Sequence, residues 1–326
     1  MGLTPAYIDA YVASWSARLT SPAYPYRAKW PGRLFHHGPI ENIVQILQSG
    51  ELLSRNDSEA RRARDVAGAD VINAHQEAHA YGRLYFRPRT PTQYHIEGIR
   101  RPADCHYGAN AHAPVLVMLI FDARPILQMQ GVRFSHGNMQ AGPATGENDA
   151  FFATIPFDKV YHEGGISGDH SIIFHRCAEV LVPSPMLIAP SLQWIYCRSE
   201  AERGMLLYLL GAQAGTWEPR TIVSDDLKVF EKSYPFAESI RLSNEGLLFR
   251  LHPRTDLLPL AVRISAWTLD GAAVINSFYP SLAARPPSNG SWLTRTTLHP
   301  GSYRVEVELD GHLAYAGIQI LGGDPF

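Results

Sequence analysis

The sequence has little lysine, little cysteine and almost no net charge. Only four of its 29 cationic residues are lysines, so arginine supplies the other 25. The 31 acidic residues bring the formal net charge to −2, which excludes the strongly basic composition of many nucleic-acid-binding proteins. Because an arginine guanidinium pairs with phosphate through a planar fork, the positions of the arginines matter more than the net charge.

The three cysteines, Cys105, Cys177 and Cys197, are too few and too widely spaced for a disulfide framework or a zinc finger. Their scarcity favours a reducing compartment, so we expect a cytoplasmic protein. The first 19 residues lack the basic start and the apolar stretch of a secretory signal, so we expect none. The sequence contains no run of about 18 apolar residues, so it predicts no membrane span.

A chain of 326 residues that is 45% hydrophobic can bury a large core, which excludes general disorder. Its length predicts two domains or one large domain. Beyond about residue 220 the pattern changes to short alternating apolar runs, interrupted by the turns Asp270-Gly271 and Asp310-Gly311. This pattern is typical of a small all-β sandwich, and it predicts a domain boundary near residues 222–240.

Helical spacing and end signals predict the remaining elements. An N-cap threonine followed by proline predicts a helix over residues 4–19. Apolar spacing predicts a second helix over Ile40–Leu47, which Gly50 would end. Residues 54–80 are polar and basic, and their propensities predict a largely helical segment. Strands are predicted at residues 34–37, 83–86, 115–121, 132–134 and 179–182, and a further helix at residues 200–210.

The familiar catalytic signatures are missing. The sequence has no glycine-rich dinucleotide loop, no Walker A loop, no HExxH zinc motif and no GxSxG nucleophile elbow. His106 and His112 have no acidic or cysteine partner at metal-ligand spacing, so we expect no metal site. Four less familiar features remain, each at the predicted end of a strand or in a turn.

The first two features place polar and aromatic residues at strand ends. A predicted strand reaches His36 and runs directly into a helix. Polar groups at such a strand end, facing a helix N-terminus, can hold an anionic or amide-bearing ligand. A histidine that only caps the strand is the alternative. The stretch Tyr81–Pro91 places three arginines within seven residues beside aromatic rings. Rings stack on flat ligands and arginine pairs with phosphate, whereas a solvated strand edge is the simpler interpretation.

The other two features lie later in the chain. His136-Gly137-Asn138 would, taken alone, be an ordinary turn. Glu179 begins a strongly apolar strand, where burying a carboxylate costs several kcal/mol unless it is paired. A strand-end glutamate beside a loop is a candidate general base or electrostatic stabiliser. The alternative is a structural ion pair with Arg176 or a neighbouring arginine.

Taken in order, these features resemble the DarT family of DNA ADP-ribosyltransferases, which are toxins of bacterial toxin–antitoxin and phage-defence systems. The likeness covers about residues 33–210. The matching residues are Phe35-His36, Glu41-Asn42, the stretch from Tyr85 to Pro91 with Tyr94 after it, His136-Gly137-Asn138, and the strand from Ala178 to Val182.

The resemblance implies an α+β fold whose core is an ADP-ribosyltransferase-like split mixed β-sheet with helices. We predict an N-terminal helix and connector over residues 1–32, the transferase domain over residues 33–222, and an accessory β-sandwich-like domain over residues 240–326. The accessory domain is not part of the family pattern.

The resemblance also implies NAD as the ADP-ribose donor, without a metal. Glu179 would stabilise the positive charge that grows on the ribose as its bond to nicotinamide breaks. Arg89 would hold charged groups of NAD, and the loop 157–175 would meet the acceptor. The residues expected to hold NAD are His36, Asn42, Tyr85, Phe86 and Tyr94.

Single-stranded DNA is the acceptor that the chemistry favours, because a base exposes its ring nitrogens only when it is unstacked. Residues 55–101 carry nine arginines against six acidic residues, which suits a phosphate-binding groove, although residues 55–64 alone would fit a solvated helix face. The residues expected to contact nucleic acid are Arg83, Arg87, His136, Asn138, His175 and Arg176.

Two departures from the family pattern leave the acceptor open. Gly38-Pro39 stands where the family has Thr-His, and Arg87 stands where it has a small polar residue. A transferase of the same fold that acts on RNA or protein is therefore an alternative, as is a catalytically silent sensing or binding protein. The family further implies a macrodomain or another antitoxin as a partner.

Overall fold

The computed structural model describes residues 2–60, 62–66, 76–108, 111–283 and 290–322. The chain divides into two compact units, each assembled from three stretches. Unit 1 comprises Met1–Ile96, Val117–Tyr196 and Ser224–Glu231, and unit 2 comprises Glu97–Leu116, Cys197–Val223 and Lys232–Phe326. Two stretches that the sequence places inside the transferase domain therefore cluster with unit 2, and the domain boundaries expected from the sequence stay a prediction.

The α-helices, numbered in chain order, are α1 (Pro5–Arg18), α2 (Ile40–Ser49), α3 (Pro91–Ile96), α4 (Ala123–Leu127), α5 (Asp149–Phe152), α6 (Phe157–Val160), α7 (Ser171–His175), α8 (Glu200–Leu210) and α9 (Ala214–Trp217). Short 3-10 helices are Pro25–Lys29, Gln76–Ala80, Pro102–Asp104, Met139–Ala141, Gly211–Gln213 and Glu218–Arg220. The strands are β1 (Arg33–Pro39), β2 (Glu51–Leu52), β3 (Tyr81–Tyr85), β4 (Leu116–Asp122), β5 (Arg133–Ser135), β6 (Thr145–Gly146), β7 (Glu179–Pro183), β8 (Met186–Leu187), β9 (Leu192–Cys197), β10 (Thr221–Val223), β11 (Phe236–Ser243), β12 (Gly246–His252), β13 (Leu260–Thr268), β14 (Ala273–Leu282), β15 (Trp292–Arg295), β16 (Gly301–Leu309) and β17 (His312–Leu321).

The end signals of the first two helices act as the sequence predicts. The Thr4 hydroxyl accepts a hydrogen bond from the Tyr7 amide and so caps α1. Helix α2 buries its apolar stripe of isoleucine, valine and leucine, and it ends at Gly50, whose φ of 72° suits a residue without a side chain. Both predicted helices are confirmed.

The sheet of unit 1 positions the strand ends that matter for function. Its strands lie in the order β9-β4-β1-β3-β7-β5-β6, with β4, which is apolar up to its last residue Asp122, in the interior. In the antiparallel pair of β3 and β7, Tyr85 lies opposite Glu179 and Arg83 lies opposite Leu181. Because directly opposed residues point to the same face of a sheet, these four side chains share one face.

The described residues of the segment 54–80 differ from their prediction. Its described residues form turns and the 3-10 helix Gln76–Ala80, with no α-helix among them, while residues 61 and 67–75 lie outside the described part. The reason lies in part in side-chain bonds to the backbone. The Asn42 side chain accepts from the amides of Ala63 and Arg64 and donates to the Arg64 carbonyl, which holds these residues in an irregular conformation.

Unit 2 contains the predicted all-β region. One antiparallel sheet has the order β11-β12-β15 and the other has the order β14-β13-β16-β17. Alternate residues of β13 and β16 are buried, as expected for sheets with one core-facing side. The turn between β16 and β17 has Asp310 at φ 48° and Gly311 at φ 79°, the positive values that a two-residue hairpin turn requires. The predicted fold class is confirmed.

No helix in the described part of the chain is long and apolar enough to cross a membrane.

Candidate active site

Glu179 is a buried carboxylate at the start of β7. Its side chain is 3% exposed, and its Oε2 lies 3.6 Å from a terminal nitrogen of Arg83. Oε2 has no hydrogen-bond partner among the residues that the structure describes. Burial raises the pKa of Glu179, while the positive charge of Arg83 and a backbone hydrogen bond from Met139 oppose the rise. The group therefore keeps an unused acceptor next to a cation.

A neighbouring hydroxyl fixes the backbone at this point. The Ser135 hydroxyl accepts a hydrogen bond of 3.0 Å from the Glu179 amide and donates one of 2.9 Å to the Gly137 carbonyl. The turn that follows β5 is thereby tied to the start of β7. The turn seen in the sequence thus supports the position of the catalytic candidate.

Arg83 links Glu179 to a cavity of about 240 Å³, which we call the His36 cavity. His36, Asn42, Tyr81 and Arg83 line it, together with side chains of α2 and of the segment 49–62. The structure thus brings together three residues that the sequence selected separately. Arg83 was expected to contact nucleic acid. In the structure its guanidinium lies against Glu179, so the arginine that pairs with Glu179 is Arg83 and not Arg176.

The protonation state of His36 follows from its partner. Its Nδ1 lies 2.9 Å from the Arg83 carbonyl oxygen, which can only accept, so Nδ1 carries the proton. Burial lowers the pKa of His36, which leaves the ring neutral and its Nε2 an acceptor. Burial also lowers the pKa of the adjacent His37 to about 3, and its ring stacks on Tyr85 at 5.2 Å.

Arg89 takes part in a second ionic cluster, which also contains Glu163, Arg87 and Tyr26. Arg89 donates to Glu163 Oε2 at 2.6 Å and to the Tyr26 hydroxyl at 3.1 Å. Arg87 donates to Glu163 Oε1 and to the carbonyls of Val160 and His162. In this structure the Arg89 guanidinium thus pairs with Glu163, whereas the cation at Glu179 is Arg83.

The structure corrects the expectation that Arg87 contacts DNA phosphate. Its side chain is 2% exposed, and its donors are used by Glu163 and by the backbone carbonyls of Pro88, Val160 and His162. Desolvation lowers the pKa of Arg87 to about 10, although Glu163 opposes this. A guanidinium held in this way anchors the loop that precedes α7 and does not face solvent.

Glu163 was not among the residues that the sequence indicated for the site. It lies in a glycine-rich stretch, and no fixed spacing connects it to Arg87 and Arg89, which are more than 70 residues earlier. The available signal was indirect, because three clustered arginines require a carboxylate if any of them is buried.

The predicted ring-stacking residues separate into two groups. Phe86 is 1% exposed and packs edge-to-face on Phe152 and Phe157, so it is part of the core and does not form a cavity wall. Side chains alternate along an extended chain, which explains why Phe86 points away from its neighbour Tyr85. Tyr85 is buried against His37, and Tyr94 on α3 is 49% exposed.

The remaining residues expected at DNA form a local network around α7. The His136 ring stacks on Phe151 and bonds the Thr154 hydroxyl at 2.8 Å, and its carbonyl oxygen lies 2.7 Å from His175 Nδ1. Asn138 accepts from the Gln140 amide and caps a short 3-10 helix.

Arg176 belongs to the same region and is half-buried. Its guanidinium donates to the carbonyls of His162 and Gly164 at 3.1 and 2.7 Å. Together with Arg87, it fixes the loop that was expected to meet the acceptor.

A model of the family described as "ssDNA thymidine ADP-ribosyltransferase, DarT" matches residues 35–222, more than half of the chain. The chain belongs to the DarT family. It is therefore an ADP-ribosyltransferase that uses NAD as its donor, as the resemblance implied. No group of three or more candidate metal ligands occurs among the described residues.

Solved structures with a similar fold include the Thermus sp. 2.9 DarT in complex with ADP-ribosylated ssDNA, at 20% identity and a TM-score of 0.49 over 60% of this chain and 96% of that one. The same protein in complex with NAD+ matches at 19% identity and a TM-score of 0.47 over 60% and 97% of the chains. Thermosipho africanus DarTG in complex with ADP-ribose matches at 14% identity and a TM-score of 0.44 over 66% and 54%. A search of curated proteins gave no match.

Proposed function

We propose that this protein transfers ADP-ribose from NAD to a base of single-stranded DNA and that Glu179 is its catalytic carboxylate. The observation that carries the proposal is the state of this side chain. It is buried, it lies 3.6 Å from Arg83, and its Oε2 has no hydrogen-bond donor among the described residues. Such an arrangement suits a group that completes its bonding only when a ligand is present.

Bound NAD supplies a bond between ribose and nicotinamide whose cleavage builds positive charge on the ribose. Glu179 is placed to stabilise that charge and to accept a hydrogen bond from a ribose hydroxyl through Oε2. Arg83 favours the ionised form of Glu179, as the direction of its effect on the carboxyl pKa shows. The same carboxylate is available to take the proton from the attacking base.

The residues of the His36 cavity fit a part of NAD. The His36 Nε2 is an acceptor for a ribose hydroxyl, because Nδ1 carries the ring proton. The side chains of Leu52 and Ile46 add an apolar wall. A volume of about 240 Å³ accommodates one ring system with its sugar rather than the whole dinucleotide, because sites for complete ligands usually exceed about 300 Å³. Asn42 shapes this wall through its bonds to residues 63 and 64.

In this proposal, Arg89 binds the charged part of NAD. Its side chain is 18% exposed, and its guanidinium already pairs with Glu163. A diphosphate that approaches it would share the cation with that carboxylate. Tyr94, which is exposed on α3, would stack on a ring of the donor or of the DNA.

Single-stranded DNA is the proposed acceptor for a chemical reason. A base that is already unstacked presents its ring nitrogen without the energy needed to flip it out of a duplex. The family description names thymidine, so thymine is the first base to test.

We further propose that the protein acts in the bacterial cytoplasm as the toxin of a toxin–antitoxin or phage-defence system. A bulky, charged group on a template base would obstruct replication, which supports a toxic role. An antitoxin, either a macrodomain that removes the modification or a protein that masks the site, would then be required. Expression of the protein should arrest growth, and unimpaired growth with active enzyme present would contradict the toxin role.

The acceptor is tested by incubating the protein and NAD with four substrates in parallel. These are single-stranded DNA of mixed sequence, the same DNA as a duplex, the matching RNA, and a cell lysate. We expect an added ADP-ribose mass on the single-stranded DNA and at most a small fraction on the duplex. A mass shift on RNA or protein alone would overturn the DNA proposal and favour the same-fold alternatives.

A further inference from the structure

A second depression lies on the sheet face that carries Glu179, and we call it the Arg133 groove. Its volume is about 370 Å³. The lining residues that matter are Glu77, Tyr81, Arg133, Met139, Thr145 and Leu181. None of them except Tyr81 lines the His36 cavity, so Tyr81 stands between the two spaces.

The groove begins directly beside the catalytic carboxylate. Leu181 is two residues along β7 from Glu179 on the same face, a distance of about 7 Å. Met139, another lining residue, makes its backbone hydrogen bond to the Glu179 carboxyl group. Arg83, the ionic partner of Glu179, lies opposite Leu181 in the strand pair. A ligand in the groove would therefore adjoin the reacting atoms.

The groove combines a cation, an aromatic ring and apolar side chains. The Arg133 guanidinium donates to the Thr145 hydroxyl at 3.1 and 2.8 Å, and among the described residues no carboxylate lies within ion-pair distance of it. Thr145 fixes the direction of this cation without neutralising it. Ala78, Met139 and Leu181 form an apolar cluster against which Tyr81 packs. The groove thus offers one oriented positive charge, an aromatic ring and an apolar floor.

We propose that the Arg133 groove binds the nucleotide adjacent to the acceptor base of single-stranded DNA. This inference rests on the proposed function and assigns its acceptor strand to one place on the sheet. Arg133 pairs with a backbone phosphate, and the neighbouring base lies on Tyr81 and the apolar floor. Glu77 at the edge of the groove opposes a phosphate, so its removal strengthens DNA binding.

The test compares Arg133→Gln with the wild-type enzyme in steady-state kinetics with NAD and a thymine-rich oligonucleotide. Loss of one charge-assisted phosphate contact should raise the KM for DNA about tenfold. The KM for NAD should change less than about twofold. The slope of log affinity against log salt, measured by fluorescence anisotropy of the labelled oligonucleotide, should fall by about one.

Two further variants sharpen this result. Glu77→Gln should lower the KM for DNA, which a merely structural role of the groove would not produce. Arg241→Gln removes an exposed arginine of unit 2 and serves as the matched control. Thermal unfolding of each variant checks that it folds. If Arg133→Gln folds poorly, Arg133→Lys replaces it in the test, and this variant should keep part of the DNA affinity because it keeps the positive charge.

Three results would overturn the inference. An unchanged KM for DNA and an unchanged salt slope would show that the strand does not pass Arg133. A raised KM for NAD with an unchanged KM for DNA would assign the groove to the donor. Absence of any DNA binding by the wild-type protein would contradict both the groove and the DNA acceptor. DNA binding that Arg133→Gln weakens, but without modification of the DNA, would contradict the proposed function and leave the groove as a DNA-binding site.

Discussion

Glu163 and Glu179 of unit 1 both have nearly buried side chains that face arginines, and the two clusters differ in how completely they are bonded. Glu163 has partners at both oxygens, from Arg87, Arg89 and Tyr26. Glu179 has one ionic contact, at 3.6 Å, and an oxygen without a hydrogen-bond partner in the described residues. A saturated carboxylate stabilises a fold, whereas an unsaturated buried one has capacity for a ligand.

The comparison also separates arginines that the sequence could not distinguish. Arg83 and Arg87 are four residues apart, and both were expected at nucleic acid. Arg83 lines the His36 cavity and is 26% exposed at its side chain, whereas Arg87 is buried. The position of each arginine relative to a carboxylate, and not the density of arginines, decides its role.

The largest expected effect on stability is that of Glu163→Ala. Removing this carboxylate leaves the buried Arg87 without its ionic partner, which should lower the free energy of unfolding by about 3–5 kcal/mol. Urea denaturation of the purified variant measures it. The double variant Glu163→Leu with Arg87→Met removes both members of the buried ion pair and should regain part of the loss, while Arg89 keeps its hydrogen bond to the Tyr26 hydroxyl. A change below about 1 kcal/mol for Glu163→Ala would contradict the structural role given to this cluster.

A smaller effect is expected for Arg83→Gln, and it concerns activity. Loss of the cation beside Glu179 should lower kcat/KM about tenfold. Because Arg83 holds down the pKa of Glu179, its removal should also move the acid limb of the pH–rate profile to higher pH. Arg241→Gln, the same change at an exposed site, is the control. An acid limb that stays in place would show that the two side chains do not interact in the working enzyme.

The smallest effect is a pH dependence of stability. Burial raises the folded-state pKa of Glu179 above its ordinary value of 4.5. The folded state therefore favours the protonated carboxyl group, whose contribution to the free energy of unfolding is fully present below pH 4.5 and is lost as the pH rises through the folded-state pKa. The free energy of unfolding of Glu179→Gln should therefore be higher than that of the wild type at pH 8, and the two values should differ little near pH 4. Denaturation at both pH values measures this. A variant that is less stable at pH 8 would contradict the burial penalty.

Much of unit 1 follows from local signals in the sequence. The proline and threonine before α1 and the glycine after α2 predict the ends of these helices, and the apolar run of β4 predicts an interior strand. The conformation of the described residues of the segment 54–80 was not predictable in this way. Helix propensity is a weak local preference, and the side-chain bonds of Asn42 override it in residues 63 and 64.

The candidate site was only partly predictable. Glu179 and His36 were selected because polar residues at strand ends favour ligand contact, and the structure connects both of them to Arg83. The sequence could not assign Phe86 to the core, because the alternation of side chains specifies two faces without saying which one is buried. It could not find the partner of Arg87, because Glu163 approaches from a loop that is distant in sequence.

The central claim is that Glu179 performs the transfer, and the mass of a single-stranded oligonucleotide after incubation with NAD tests it most directly. Wild-type protein should add the mass of ADP-ribose. Glu179→Gln, which keeps the shape of the side chain, should lower the rate at least about a hundredfold. Glu245→Gln, the same change at an exposed position of unit 2, should leave the rate unchanged. Modification at the wild-type rate by a folded Glu179→Gln protein would contradict the account.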